Sequence, residues 1–280
     1  MAQNYAAAHL GATDERVYLE SLTMGEFDSK NIRLDFNGKN SVTFYNVDTV
    51  AENDYVRSGV GRFGALVELG TGTQTVTLSQ DKSFNFSIDR GNYADSMMVT
   101  EAAKAIKRQV REVSVPATDV YNLGILTAYA IANSQGVVAG TAVANTTAYK
   151  LILDQQAALT ELKFSKKGRK LWVTPTVLNL LKRDPEFKLD CDLSYRDGKE
   201  GTVGMVDGLV IKEAPASYLV TNFQFMITCE GVGVAVNKFN MIRTLDNDKD
   251  VDGWICQGRR YHDMFIFGQK ATGIRIYTKS

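Results

Sequence analysis

At 280 residues the chain is long enough to bury a sizeable core in one large domain or two smaller ones, and its 44% apolar share is globular. Lysine plus arginine and aspartate plus glutamate stand at 32 each, so no basic excess argues for general gripping of nucleic-acid phosphates. Cys191, Cys229 and Cys256 are an odd number at wide spacings, with no CxxC and no Cys/His cluster, which argues against a disulfide framework or a zinc site.

Residues 1–30 are small and polar, with a weak apolar series at Val17, Leu19, Leu22 and Phe27. The opening residues lack a basic segment followed by an apolar core, so no secretory signal is expected. They make a poor independent unit and read as an arm ordered by neighbours. From 41 to 59 apolar and polar residues partly alternate, as in VTFYNV (42–47), and TVTLSQDKSFNFSI (75–88) alternates more clearly. Period-two alternation argues for strands. Between these runs lie GVGRFG (59–64) and GTG (70–72), a flexible tip. An isolated hairpin is marginal in water, so an arm over 41–90 needs a surface to lie on.

FNFSIDRGNYADSMM (84–98) ends this extended region, and Asp95 or Ser96 can cap a helix. Val99, Ala102, Ala103, Ile106, Val110 and Val113 fall on one face of that helix. Lys104, Lys107, Arg108 and Arg111 form a stripe well away from it, with Glu101 and Glu112 alongside. Pro116 is expected to end or kink the helix. A second, more deeply buried helix is predicted from 117 to 132.

After a Gly/Ala-rich link over 136–144, a helix is predicted through Leu162, then a buried strand at KLWVT (170–174). Thr174 and Pro175 supply an N-cap and a first-position proline for a helix through Arg183. Residues 184–201 read as a charged surface loop. VGMVDGLVI (203–211) is a hairpin turning at Asp207 and Gly208. Further strands are expected over 223–229, 231–236, 239–245, 254–261 and 273–277. This irregular mixture with a β-rich end is α+β rather than a doubly wound sheet. No run of about 18 apolar residues occurs, so no membrane span is expected.

The order of an extended arm, IDRGNYAD (88–95), an amphipathic helix and a proline junction over 111–119 resembles the major capsid proteins of tailed bacteriophages. WVTPTVL (172–178) followed by GMVDGLVIKEAP (204–215) resembles the strand–helix–hairpin order of their axial domain. The resemblance, to the Hong Kong 97-like shell fold, covers most of 40–280. It implies an N-terminal arm (1–40), an E-loop with its flanking strands (41–90), a spine helix and following helix (91–133), an axial domain (134–236) and peripheral-domain strands (237–280).

It further implies a structural protein without catalysis that self-assembles into hexamers and pentamers of an icosahedral head around double-stranded DNA, with no sequence-specific DNA contact. Scaffolding, portal and decoration proteins would be partners, and the shell would form in the host bacterial cytoplasm before becoming the virion. The arm and E-loop would reach over adjacent subunits, making Arg62, Phe63, Glu68, Lys104, Lys107, Arg108 and Arg111 candidate intersubunit contacts. The basic stripe admits three readings: pairing with acids such as Asp48, Glu52, Asp54 and Glu68 of an adjacent subunit, a solvated face, or contact with packaged DNA. An alternative with the same fold is an encapsulin-like bacterial compartment shell.

Two motifs imitate chemistry. GVGRFG matches GxGxxG in spelling but lacks the buried strand before it and the helix after it that a dinucleotide site needs. DKDVDG (248–253) spells the first half of a calcium loop, with Asp248, Asp250 and Asp252 at alternate positions and Gly253 at the sixth. The twelfth position is Arg259, so a solvated acidic turn competes with a weak structural calcium site, on which a second alternative, a soluble calcium-dependent binding module or enzyme, would be built. No cofactor is otherwise expected. His262 and Asp263 are neighbours in a strand, which directs their side chains to opposite faces. With His9 the only other histidine and no GxSxG or HExxH, no hydrolytic site is suggested.

Overall fold

A computed structural model describes residues 21–27, 35–37, 41–95, 102–190, 202–248, 251–268 and 270–280. The chain divides into two compact units, one formed by residues 29–80 and the other by 1–28 with 81–280.

The smaller unit is a three-stranded antiparallel sheet in chain order: β1 (Asp35–Asn37), β2 (Ser41–Val47) and β3 (Thr71–Thr77). Val42 and Phe44 of β2 are buried, and Thr43 and Thr75 join hydroxyls across the β2–β3 ladder at 3.2 Å. The alternating run read over 75–88 is split. Its first residues complete β3, whereas β4 (Gln80–Asp89) joins a different sheet, beside β11 (Val251–Ile266), which in turn pairs with β10 (Gly233–Asp248). Alternation specifies a strand and its faces but not its partner.

In the larger unit, β4 runs into the short helix α1 (Arg90–Asp95). Helix α2 (Ala102–Gln109), a π-helical turn (Val110–Ser114) and α3 (Val115–Ala132) then follow without a break. The helix therefore does not end at Pro116. A proline has no N–H to donate, and the turn before it widens so that the Val115 N–H reaches the Val110 carbonyl five residues back.

Next come β5 (Gly136–Gly140), α4 (Ala148–Glu161), β6 (Lys170–Val173), α5 (Pro175–Arg183), α6 (Pro185–Asp190), β7 (Thr202–Val206), β8 (Leu209–Glu213) and β9 (Phe223–Thr228). The chain closes with two 16-residue strands, β10 (Gly233–Asp248) and β11 (Val251–Ile266), and β12 (Ile274–Lys279).

Six of these strands form one mixed sheet in the order β5-β12-β9-β6-β8-β7. Leu171, Trp172 and Val173 of β6 and Phe225, Met226 and Ile227 of β9 are all buried, as central strands covered on both faces must be. Leu123, Leu126 and Ala130 of α3, Ile152 and Leu159 of α4, and Val177, Leu178 and Leu181 of α5 complete the same core. Trp172 satisfies its buried indole by donating to Thr228 Oγ1 at 3.0 Å.

Local expectations hold in several places. Thr174 Oγ1 accepts the Val177 N–H at the start of α5, and Asp207 and Gly208 both take positive φ in the β7–β8 turn. Others differ. The link over 136–144 contains β5, paired in parallel with β12, where a Cβ on Gly136 would stand 2.0 Å from the Ile276 carbonyl oxygen. The final strand β12 thus lies among strands from 136–228 rather than with β10 and β11. The loop expected from 184 begins instead with Asp184, fully buried, accepting the backbone N–H groups of Tyr149 and Glu186 and so starting α6. The two strands expected over 231–245 are one strand, irregular at Lys238.

Candidate functional site

The regions that the sequence singled out are the loop of the smaller unit, the outer face of α2 with its π turn, and the acidic β10–β11 turn.

The loop leaves β2 and returns to β3. Its backbone is stitched by Asp48 N–H to Gly70 O at 3.1 Å, Val56 N–H to Arg62 O at 3.0 Å and Gly64 N–H to Gly61 O at 3.0 Å. Gly59, Gly61 and Gly64 all take positive φ, which lets the chain reverse at the tip. Arg62 donates to the Gly59 carbonyl at 3.2 Å, and Phe63 meets Tyr55 edge-on with centroids 5.0 Å apart. Arg62 and Glu68 are exposed. The apolar side chains are more informative: Val60, Phe63 and Leu66 are 107%, 84% and 102% exposed, and Val47, Val50, Tyr55, Val56, Val67 and Leu69 are also exposed. These exposed apolar side chains alternate along the loop with Asp48, Glu52, Asp54, Arg57, Arg62 and Glu68.

On α2 the expected apolar face is only half covered. Ile106 and Val110 are partly buried, Ala103 and Val113 are exposed, Val99 lies outside the described residues and the Ala102 side chain is not described. Phe86, Ala105, Arg108, Gln109, Glu112 and Val113 line a shallow groove of about 260 Å³ here. Of the basic stripe, Arg108 and Arg111 converge on Glu112 within the chain, at 2.9 Å and 3.8 Å. Lys104 and Lys107 are exposed. The i,i+4 spacing of Arg108 and Glu112 made the first pairing legible; such exposed pairs contribute little stability.

At the acidic turn, Asp250 and the side chain of Asp248 lie outside the described residues. Asp252 faces Arg90 at 3.7 Å, and Arg90 also reaches Asp246 at 3.4 Å while lying over the Trp254 ring. Arg259, at the twelfth loop position, pairs with Asp81 on β4 at 2.5 Å. Among the described residues no cluster of three or more His, Cys, Asp or Glu side chains could hold a metal ion.

One site escaped the sequence reading. Residues 21–27, expected to be ordered by neighbouring subunits, lie as a strap on their own chain. Asp119 of α3, 1% exposed, accepts Ser21 Oγ at 2.8 Å, Leu22 N–H at 2.9 Å, and Thr23 Oγ1 and N–H at 2.5 and 3.2 Å. Glu26 lies between Lys170 and Lys212, and Phe27 stacks on Trp172 with centroids 6.0 Å apart. Burial pushes the Glu26 carboxyl up, but the two ammonium groups outweigh it and hold its pKa below the ordinary value. The Asp119 side of this site left one trace in the sequence: a carboxylate amid the otherwise apolar and small residues of α3.

His262 and Asp263 both lie against α3. Both are buried, at 8% and 4% exposure, and Tyr121 meets both, its hydroxyl donating to Asp263 at 2.6 Å and its ring edge-on to His262. β10 is irregular opposite this point, at Lys238, and a bulge increases local twist.

No family model and no curated protein sequence matches this chain. Solved structures do. A chain of Mycobacterium phage Che8 is 16% identical, with 99% of this chain and 98% of that one aligned at a TM-score of 0.68. The capsid structure of cyanophage P-SCSP1u is 12% identical, over 99% and 93% of the two chains, at 0.69. The mature capsid of bacteriophage PhiM1 is 13% identical, over 99% and 92%, at 0.64. The chain has the fold of these phage capsid subunits, the α+β Hong Kong 97-like shell fold.

Proposed function

We propose that this chain is a major capsid protein of a tailed phage, a structural subunit without catalytic function. Copies assemble into hexamers and pentamers of an icosahedral head that encloses double-stranded DNA. The observation that carries this reading is the exposed apolar loop between β2 and β3 on a chain with the shell fold. Burying a Val, Leu or Phe side chain contributes about 1.5–3 kcal/mol. The Phe63 and Leu66 region therefore supplies an association energy that the lone chain leaves unused. Closed symmetry multiplies such an interface around a ring and then over a shell.

The half-covered face of α2 is the second surface that a neighbouring copy would cover. Equal numbers of acidic and basic residues suit a container that must hold DNA without adhering to it. On this reading scaffolding and portal proteins are partners during assembly in the host cytoplasm, a decoration protein can bind outside, and the finished location is the virion.

Sedimentation of the purified chain, with negative-stain imaging of the fastest fraction, tests the proposal. Closed shells, tubes or capsomer rings are expected. A monomer at every concentration, with and without candidate scaffolding protein, would overturn it.

A further inference from the structure

The seam where α3 meets β11 is unusually polar. Arg260 donates to the Ser114 carbonyl and to Thr118 Oγ1, and Tyr121 donates to Asp263 Oδ1 at 2.6 Å. Ser114, Thr118 and Tyr121 are spaced i, i+4 and i+7 and so form one stripe along the helix. His262 lies inside this seam. Its ring is 8% exposed and sits 6.1 Å from the Tyr121 ring, and its Nδ1 has no hydrogen-bond partner among the described residues.

Among the described residues, Tyr121 from α3, Lys82 from β4, and Arg260 and Asp263 from its own strand are the charged and titratable groups that act on His262. Its register partner on β10 is the neutral Asn237. Asp263, the single acid in this set, is already engaged by the Tyr121 hydroxyl and by the Met264 N–H at 2.7 Å. A proton on the imidazole would place a further cation in a buried seam that holds Arg260. Gaining Asp263 as a counterion would mean drawing it away from Tyr121.

We propose that His262, Tyr121 and Asp263 form an acid-sensitive latch between α3 and the β10–β11 hairpin, closed while the imidazole is neutral and loosened when it is protonated. Burial first, and then Arg260, holds the His262 pKa below its ordinary value; Asp263 opposes this and Lys82 adds to it. The sign follows from linkage. As pH falls, the unfolded chain takes up this proton before the folded one. The latch's stability is therefore fully present above about pH 6.5 and is lost progressively below it, until the folded pKa is reached.

The latch is a property of the single chain and does not rest on the shell reading, so its test uses the unassembled full-length protein. Amide hydrogen exchange is compared at about pH 7.5 and about pH 5.5 after correction for intrinsic rates, in the wild type and in His262→Gln. In the wild type, amides around Tyr121 and His262 should lose protection roughly tenfold at the lower pH, while His262→Gln should lose none. Equal acid sensitivity in both proteins, or none in the wild type, would overturn the latch. Should the variant fail to fold, the wild type still decides. Its two histidines, His9 and His262, give two imidazole resonances, and a folded His262 that titrates at or above about 6.5 would end the proposal.

Discussion

Thr23 and Asp119 stand 96 residues apart and meet through two hydrogen bonds, one from the threonine hydroxyl at 2.5 Å and one from its N–H at 3.2 Å. The carboxylate also holds Ser21 and the Leu22 N–H, so one side chain anchors the first three residues of the strap on α3. Removing it would strand two backbone donors in a buried site. Asp119→Ala should therefore lower unfolding free energy by on the order of 3 kcal/mol, and Thr23→Val by about 1–2 kcal/mol. Denaturant melts of the full chain check both values. Equal stability of Asp119→Ala and wild type would show that the strap is not anchored here.

Glu26 gives the strap a pH signature. Its pKa is depressed by Lys170 and Lys212, so the stability it contributes is present above the unfolded carboxyl value near 4.5 and is lost as pH falls through the lower folded value. Glu26→Gln should be less stable than wild type at neutral pH by about 3 kcal/mol, because it leaves buried Lys212 without this counterion. The gap between the two proteins should close in acid. A gap that stays constant to low pH would assign the loss to packing rather than charge.

Phe63 and Leu66 contribute little to the fold of the lone chain because water already surrounds them. Replacing both by serine should shift the melting temperature by no more than about 2 °C while sharply reducing shell formation in sedimentation. Removing residues 59–69, which spares β3 and the Gly70 bond to Asp48, should likewise leave a soluble subunit that fails to close shells. Normal particles from either variant would remove this loop from the assembly interface.

Gly253 lies where β11 passes β4, and a Cβ there would stand 2.1 Å from the Ile88 carbonyl oxygen. Backbone cannot yield as a side chain can, so Gly253→Ala should cost about 1–3 kcal/mol. Gly208 offers a comparison: it has positive φ but open space around its Cβ position, so alanine there should cost only about 1 kcal/mol. Thermal melts of the two variants side by side test the difference. Equal losses would mean that the close approach at Gly253 is relieved without strain.

The sequence by itself determined what depends on neighbours a few residues away. The Thr174 cap, the Asp207–Gly208 turn and the apolar character of α3 are local devices, and each appears where its residues put it. Order along the chain also carried the resemblance to phage shell subunits.

Tertiary structure alone decided which strands pair and which polar groups find partners across long distances. The run over 75–88 divides between two sheets, β12 crosses to β9 and β5, the helix carries on through Pro116, and Asp119 captures a strap nearly a hundred residues upstream. Periodicity fixes which face of an element is apolar, but not what covers it. The strap follows the same rule: its few apolar residues look too weak for a fold, yet α3 and β6 supply the buried partners that make Leu22 and Phe27 part of the core.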